Sequence, residues 1–263
     1  MRRIVVTGFA ATYPFGGVFW DYFQYVIGFR RLGCEVLYVE DPGRWAYDPE
    51  QETPVEDGSA NAKYLGAQIE RLGPDYAPRW YYRDAAGKSW GAEWDRVVEF
   101  CKSADLFLNI SASAVLRDEY LTASRAAMID SDPMYTQARL LSDAKSDDAD
   151  ARERFARFRE YDTFFSFAEN VGRDDCRVPL CGLEWTPTRQ PVVPDCFANS
   201  IVPVARRRPI LTTVASWEPA EKGPVVEGVA YYGKSREFEK FIGLAAVSPL
   251  PLEVALSGLA PLD

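Results

Sequence analysis

The opening of the chain alternates strand and helix, and that alternation restricts the fold more than any other feature. Ile4 to Phe9 is a short β-branched run that reads as a buried strand. A turn-rich stretch, Ala10 to Gly17, follows it. From Val18 to Leu32 the apolar residues take helical spacing, with Trp20, Phe23, Ile27 and Leu32 able to share a face and Gly33 placed as a stop. Cys34 to Glu40 is a second strand, closed by Asp41-Pro42-Gly43. Strand, loop, helix and strand in that order make a βαβ unit, which requires parallel strands and a right-handed crossover.

The alternation continues. Arg44 to Ser59 is acidic and broken by Pro and Gly, so it reads as a surface loop. Ala60 to Leu72 reads as a helix, Trp80-Tyr81-Tyr82 as a short extra strand, and Glu93 to Ser103 as a helix with Val97, Val98 and Cys101 inward. Asp105 to Ile110 and Arg125 to Asp130 are the third and fourth core strands, and a short helix runs from Pro133 to Leu141. Ser142 to Asp150 reads as a mobile polar segment, Ala151 to Tyr161 as a charged helix, and Asp162 to Phe167 as a fifth strand. This order predicts an α/β fold with a Rossmann-like, doubly wound, mostly parallel sheet over residues 1–190. The prolines between Pro187 and Pro209 mark a linker, set at residues 191–209. Ile210 to Ala215, Ser235 to Leu244 and Leu252 to Leu256 then begin a second strand–helix–strand domain over residues 210–263. Such a start cannot bury both faces of its sheet. The expectation is a truncated second domain, or a tail packed on the first.

Composition removes some chemistry outright. The 263 residues include no histidine, which excludes Ser-His-Asp and Cys-His catalysis within the chain. Acid–base work is left to Asp, Glu, Lys, Tyr or Cys. A formal charge of −9 argues against a nucleic-acid or anionic-membrane partner, because phosphate binding needs a basic face. The cysteines, Cys34, Cys101, Cys176, Cys181 and Cys196, are odd in number and scattered, and read as reduced thiols without a zinc site. No apolar run reaches the length of a membrane span, and Met1-Arg2-Arg3 leads straight into the first strand. The expectation is a cytoplasmic protein with no cofactor, no metal, no nucleic-acid partner and no integral membrane segment.

In open parallel sheets, ligands bind beyond the carboxyl ends of the strands. The residues there are Gly16 and Gly17 after the first strand, Glu40 and Asp41 after the second, and Ser111 and Ser113 after the third. Asp130 and Asp132 follow the fourth, and Glu169 and Asn170 the fifth. Gly16-Gly17 lets backbone N–H groups approach a phosphate at a helix N-terminus, or serves a turn's geometry alone. The glycine spacing after the first strand is not that of a dinucleotide fingerprint. Glu40 is placed to take a ribose hydroxyl or simply to face water. Asp130 and Asp132 share a side if the strand persists, and then could bind sugar hydroxyls, act as a base or hold a divalent ion; otherwise they are turn and capping residues before Pro133. Tyr13 and Phe15, in the first loop, are the aromatics best placed to stack on a ligand.

These segments resemble a known group. Phe15 to Tyr22, Tyr38 to Asp41, Ile129 to Pro133 and Phe167 to Gly172 are similar to the amino-terminal half of bacterial glycosyltransferases with the GT-B fold. Leu211 to Trp217 and Tyr232 to Phe238 are similar to the start of the second domain of that group. The resemblance implies two Rossmann-like domains, an acceptor held by the first and a nucleotide-sugar donor held mainly by the second. It implies metal-independent transfer to a small-molecule or glycan acceptor, with Gly16 and Gly17 near the donor diphosphate. A non-catalytic nucleotide- or sugar-binding module is the alternative. Many inverting members use a histidine base, which is missing here, so Asp130, Asp132 or Asp21 would serve in its place, or the enzyme is retaining. The chain also stops before the usual donor-binding segment, and is expected not to transfer sugar alone.

Overall fold

Residues 1–217, 223–231 and 234–257 are described by a computed structural model. Tyr232 and Gly233, in the second-domain motif, lie outside them, as do residues 258–263 of the expected second domain. The chain divides into two compact units, Met1–Val193 and Pro194–Asp263.

The first unit opens with β1 (Arg3–Thr7), α1 (Gly16–Arg31) and β2 (Glu35–Glu40). A hairpin of β3 (Ala46–Asp48) and β4 (Thr53–Val55) occupies the stretch expected to be plain loop. Then come α2 (Ser59–Leu72), β5 (Trp80–Arg83), β6 (Ser89–Gly91), α3 (Trp94–Lys102) and β7 (Leu106–Ile110). β8 (Ala126–Asp130), α4 (Tyr135–Lys145), α5 (Ala149–Phe158), β9 (Thr163–Ser166) and β10 (Trp185–Pro187) complete the unit. One eight-stranded sheet has the order β10-β9-β8-β7-β1-β2-β5-β6. Its pairings are parallel except that of β6, which runs antiparallel along the edge of β5. This is a mixed α/β, Rossmann-like, mostly parallel sheet.

Side-chain alternation explains why both faces are covered. Val5, Leu37, Val39, Tyr81, Phe107 and Met128 join Val97, Phe100 and Cys101 of α3 in one buried cluster. On α1, Phe23 packs its ring 4.8 Å from that of Tyr38, whose side chain alternates with those of Leu37 and Val39. Each fully buried side chain of this size contributes about 1.5–3 kcal/mol.

Several elements differ from the sequence reading. Trp80–Tyr82 is no accessory: Tyr38 pairs with Trp80 and Glu40 with Tyr82, and Tyr81 and Tyr82 are fully buried. β10 was unforeseen. The polar stretch 142–150 is mostly helical, because Asp143 near the end of α4 is gripped by Arg154 of α5 at 2.9 Å and Asp148 caps α5 through the Ala151 N–H.

In the second unit, β11 (Leu211–Ser216) runs parallel to β14 (Leu252–Ser257), and β12 (Val225–Val226) pairs antiparallel with β13 (Val229–Ala230). The helix expected over 235–244 is split into α6 (Lys234–Glu239) and α7 (Leu244–Val247), with Gly243 at the start of α7. Among the described residues no helix is long and apolar enough to cross a membrane.

Candidate functional site

The chain lays down β1, β2 and β5 in one direction, then returns to place β7 on the other side of β1. That reversal opens a crevice at the carboxyl ends of β1 and β7, where ligands of such sheets bind. A cleft of about 240 Å³ lies there, lined by Asp21 and Tyr22 of α1, Ile110 and Ser111 after β7, Ser131 after β8, Phe167 after β9, and Gln190. Whole drug-sized ligands fill about 300–1,000 Å³, so this cleft suits one ring or one polar group of a larger ligand.

Its polar groups are linked. The Ser111 and Ser131 hydroxyls are 2.5 Å apart, and the Tyr22 hydroxyl reaches Ser111 at 3.4 Å. Gln190 donates through Nε2 to the Asp21 carbonyl at 2.8 Å, which fixes the far wall to α1. Burial raises the Tyr22 phenol well above its usual value, so it stays protonated at any physiological pH. Asp21 keeps an exposed side chain, yet partial desolvation raises its carboxyl above the usual carboxylate range. A carboxyl shifted this way is a better proton acceptor.

The backbone of this cleft is strained. Ser111 and Ala112 have φ of 58° and 48°, a region that costs a non-glycine residue about 1–3 kcal/mol. Bonds on both sides hold it. The Ser111 N–H donates to the Ile129 carbonyl at 2.7 Å, and Asn109 brackets Ala114, accepting from its N–H at 3.2 Å and donating to its carbonyl at 3.0 Å. Thr7 of β1 donates to Asn109 at 2.9 Å. Strain held by so many partners, at a strand end and inside a cleft, marks a positioned loop.

The loop from β1 to α1 is held by Glu40, and here the sequence expectation is corrected. Glu40 is fully buried and both its oxygens are engaged. It accepts from the Ala11 N–H at 2.8 Å, the Thr12 N–H and hydroxyl at 2.5 Å each, and the Tyr38 hydroxyl at 2.7 Å. It anchors the loop and presents nothing to a ribose. Asp130 is corrected likewise. It is fully buried, accepting from Thr136 at 2.8 Å, Gln137 at 2.7 Å and Ser166 at 3.0 Å, and so joins β8 to α4 and β9. Asp132 lies beyond the end of β8, exposed on the turn, so the two aspartates do not share a strand face.

The other expected residues fall outside the cleft lining. Gly16 and Gly17 open α1 in exposed positions; a Cβ on either would meet nothing within 4 Å, and neither has a positive φ. Neither packing nor turn geometry therefore demands glycine there. Tyr13 packs edge-on to Phe9 at 5.8 Å, and Phe15 sits 5.6 Å from Tyr47. Glu169 is ion-paired with Arg189 at 2.7 Å on the surface, and Asn170 is exposed beside Arg173. Of the expected residues, Asp21 and Ser111 line the cleft; Tyr22, Ser131, Phe167 and Gln190 were not foreseen there. Among the described residues no three His, Cys, Asp or Glu side chains group as metal ligands.

Gly8 supports this arrangement. A Cβ there would overlap Cγ of Tyr22 and the Tyr38 hydroxyl. Gly8→Ala is expected to lower stability by about 1–3 kcal/mol, as overpacking does, read as a lower urea midpoint with unchanged m-value.

The chain matches no family model, and no curated protein matches it. It is similar to a solved structure described as an alpha-glucosyltransferase in complex with UDP-glucose and DNA containing an abasic site. The similarity covers 97% of this chain and 67% of that one, at 13% identity and a TM-score of 0.40. The expectation of no nucleic-acid partner, drawn from net charge, is withdrawn; the protein of that structure is in complex with DNA as well as UDP-glucose. An overall formal charge sums the whole surface and says little about one face.

Proposed function

We propose that the first unit is the acceptor-holding half of a nucleotide-sugar-dependent glycosyltransferase of GT-B type. The observation that carries this reading is Asp21, a carboxyl with a raised pKa, on the wall of a polar cleft at the reversal point of a parallel sheet. In the reaction an acceptor hydroxyl attacks the anomeric carbon of the donor sugar. The new glycosidic C–O bond forms as the bond to the nucleoside diphosphate breaks. Asp21 takes the hydroxyl proton. Ser111, Ser131 and Gln190 supply hydrogen bonds to the acceptor's other hydroxyls, and Phe167 supplies an apolar face for its ring. The free N–H groups of the first turn of α1, at Gly16 and Gly17, suit a diphosphate oxygen, and no step needs a metal. The absence of disulfides among the five cysteines favours a reducing, cytoplasmic setting.

The test is release of nucleoside diphosphate from a panel of nucleotide sugars, with simple glycans as acceptors. Because this chain is expected not to transfer sugar alone, turnover is measured with a donor-binding second domain supplied, and is expected to fall about 10²–10⁴-fold in Asp21→Asn, the usual contribution of a general base. Turnover unchanged in Asp21→Asn overturns the assignment. Nucleotide-sugar binding with no turnover for any pair would favour a binding module instead.

A further inference from the structure

A cavity of about 380 Å³ lies at the opposite end of the sheet from the cleft just described. Arg3 begins β1, Glu35 begins β2 and Arg79 directly precedes β5, so their side chains gather at the amino-terminal rim. From α3, Arg96, Glu99 and Phe100 recur at helical spacing and close the cavity, with Lys102 and Ser103, the residue after the helix, beside them. Four cations thus face two carboxylates in a chain whose formal charge is −9.

The pairing leaves positive charge unspent. Lys102 is matched by Glu99 at 2.8 Å. Glu35 is shared by two guanidinium groups, Arg3 at 3.0 Å and Arg79 at 3.0 Å, so one carboxylate answers two cations. Arg96 has no ion-pair partner among the described residues. The Arg3 guanidinium carbon sits 4.2 Å from the centre of the Phe100 ring, a cation–π contact. Guanidinium groups brought to one cavity by β1, the residue before β5 and α3 are the side chains that grip tetrahedral oxyanions. The cavity falls within the size range of small-ligand sites.

We propose that this rim is a second binding site, taking the phosphate group of a small phosphorylated molecule, with Arg96 as its principal ligand and Arg3 and Arg79 beside it. Nothing in this assignment depends on the reading of the cleft. Binding here adds charge compensation on the strand starts, so the ligand stabilises the first unit from its far end.

Pyrophosphate is the probe, measured by calorimetry and thermal shift at low ionic strength, where such contacts are least screened. Wild-type protein is expected to bind it and to be stabilised by it. Arg96 is exposed on α3, so Arg96→Gln keeps the fold, checked by circular dichroism, and is expected to weaken binding about tenfold or more, the effect of losing one charged hydrogen-bonding partner. Arg152→Gln, which removes the same charge from an exposed position on α5 away from the rim, is expected to leave pyrophosphate binding intact. No binding by the wild type, binding unaffected by Arg96→Gln, or binding weakened as much by Arg152→Gln would overturn the proposal. Citrate is the carboxylate control, and binding as tight as that of pyrophosphate would overturn the assignment to phosphate.

Discussion

Raising the pH above about 10 is expected to unfold the first unit in one cooperative step. Six tyrosines there, Tyr22, Tyr25, Tyr38, Tyr82, Tyr120 and Tyr161, are each at most 7% exposed. Burial is the first cause that raises every one of these phenols above its usual value. Neighbouring carboxylates add to it: Glu40 beside Tyr38, and Asp41 beside Tyr120 at 2.8 Å. The sign follows from linkage. The folded state keeps protons that the unfolded chain releases near pH 10, so stability is intact below that pH and is lost as pH climbs towards the folded values. Each phenol removes about 1.4 kcal/mol per pH unit in that window, and six remove roughly 8 kcal/mol. Domain stabilities are about 5–15 kcal/mol, so unfolding falls between about pH 11 and 12. Far-ultraviolet circular dichroism and tyrosinate absorbance should change together. Tyrosinate absorbance rising near pH 10 while the dichroism stays native would show these rings to be accessible. Two hydroxyls, of Tyr25 and Tyr82, are buried without a hydrogen-bond partner. Tyr25→Phe is therefore expected to raise both the neutral stability and the alkaline midpoint, since it deletes an unsatisfied group and a titrating one together.

What was legible in the sequence was local. The β1–α1–β2 unit could be read because its apolar periodicity lies in adjacent residues. β5 looked accessory because its importance comes from pairing with β2, a distant partner. β10 is three residues, Trp185-Thr186-Pro187, too short to carry a period and ending in a residue that rarely marks a strand interior. The site divides in the same way. A carboxylate can be located at a strand end from sequence, but the direction of its oxygens depends on donors elsewhere. For Glu40 these come from a loop 28 and 29 residues earlier, and for Asp130 from α4 and β9. Both therefore looked available and are consumed. Gln190 reaches Asp21 across 169 residues from a proline-flanked segment that composition marked as the edge of a linker. Val193 then bonds to Gln24 at 2.5 Å, so this segment belongs to α1's surroundings. Asp21 entered beside Asp130 and Asp132 only through the resemblance to enzymes with a histidine base, and nothing in the sequence set it apart from the other two.

Glu40→Ala is the single substitution expected to cost this unit most. The side chain satisfies two backbone N–H groups, a threonine hydroxyl and the Tyr38 phenol, all in buried residues. Alanine leaves all four without that acceptor, in a space that solvent reaches poorly. Each orphaned group costs about 1–3 kcal/mol, and the sum is at least about 4 kcal/mol once partial relaxation is allowed. Glu40→Gln separates shape from charge. It fills the same volume but turns an amide donor towards groups that are themselves donors, so an intermediate loss is expected. Urea unfolding of the three proteins at constant m-value measures the series. The pH dependence has a definite sign. Burial holds the Glu40 carboxyl above the ordinary glutamate value, against the pull of its four donors. The wild-type advantage over alanine is then largest below the unfolded pKa, about 4.3, and narrows as pH rises through the folded value. An advantage that instead widens with pH would show the ionised form to be the one this pocket favours. The same loop leads into α1, so loss of Glu40 also frees the helix that carries Asp21 into the cleft. Glu40→Gln should therefore impair ligand-induced stabilisation at the cleft while leaving pyrophosphate binding at the Arg96 rim unchanged, a division that stability loss alone does not produce.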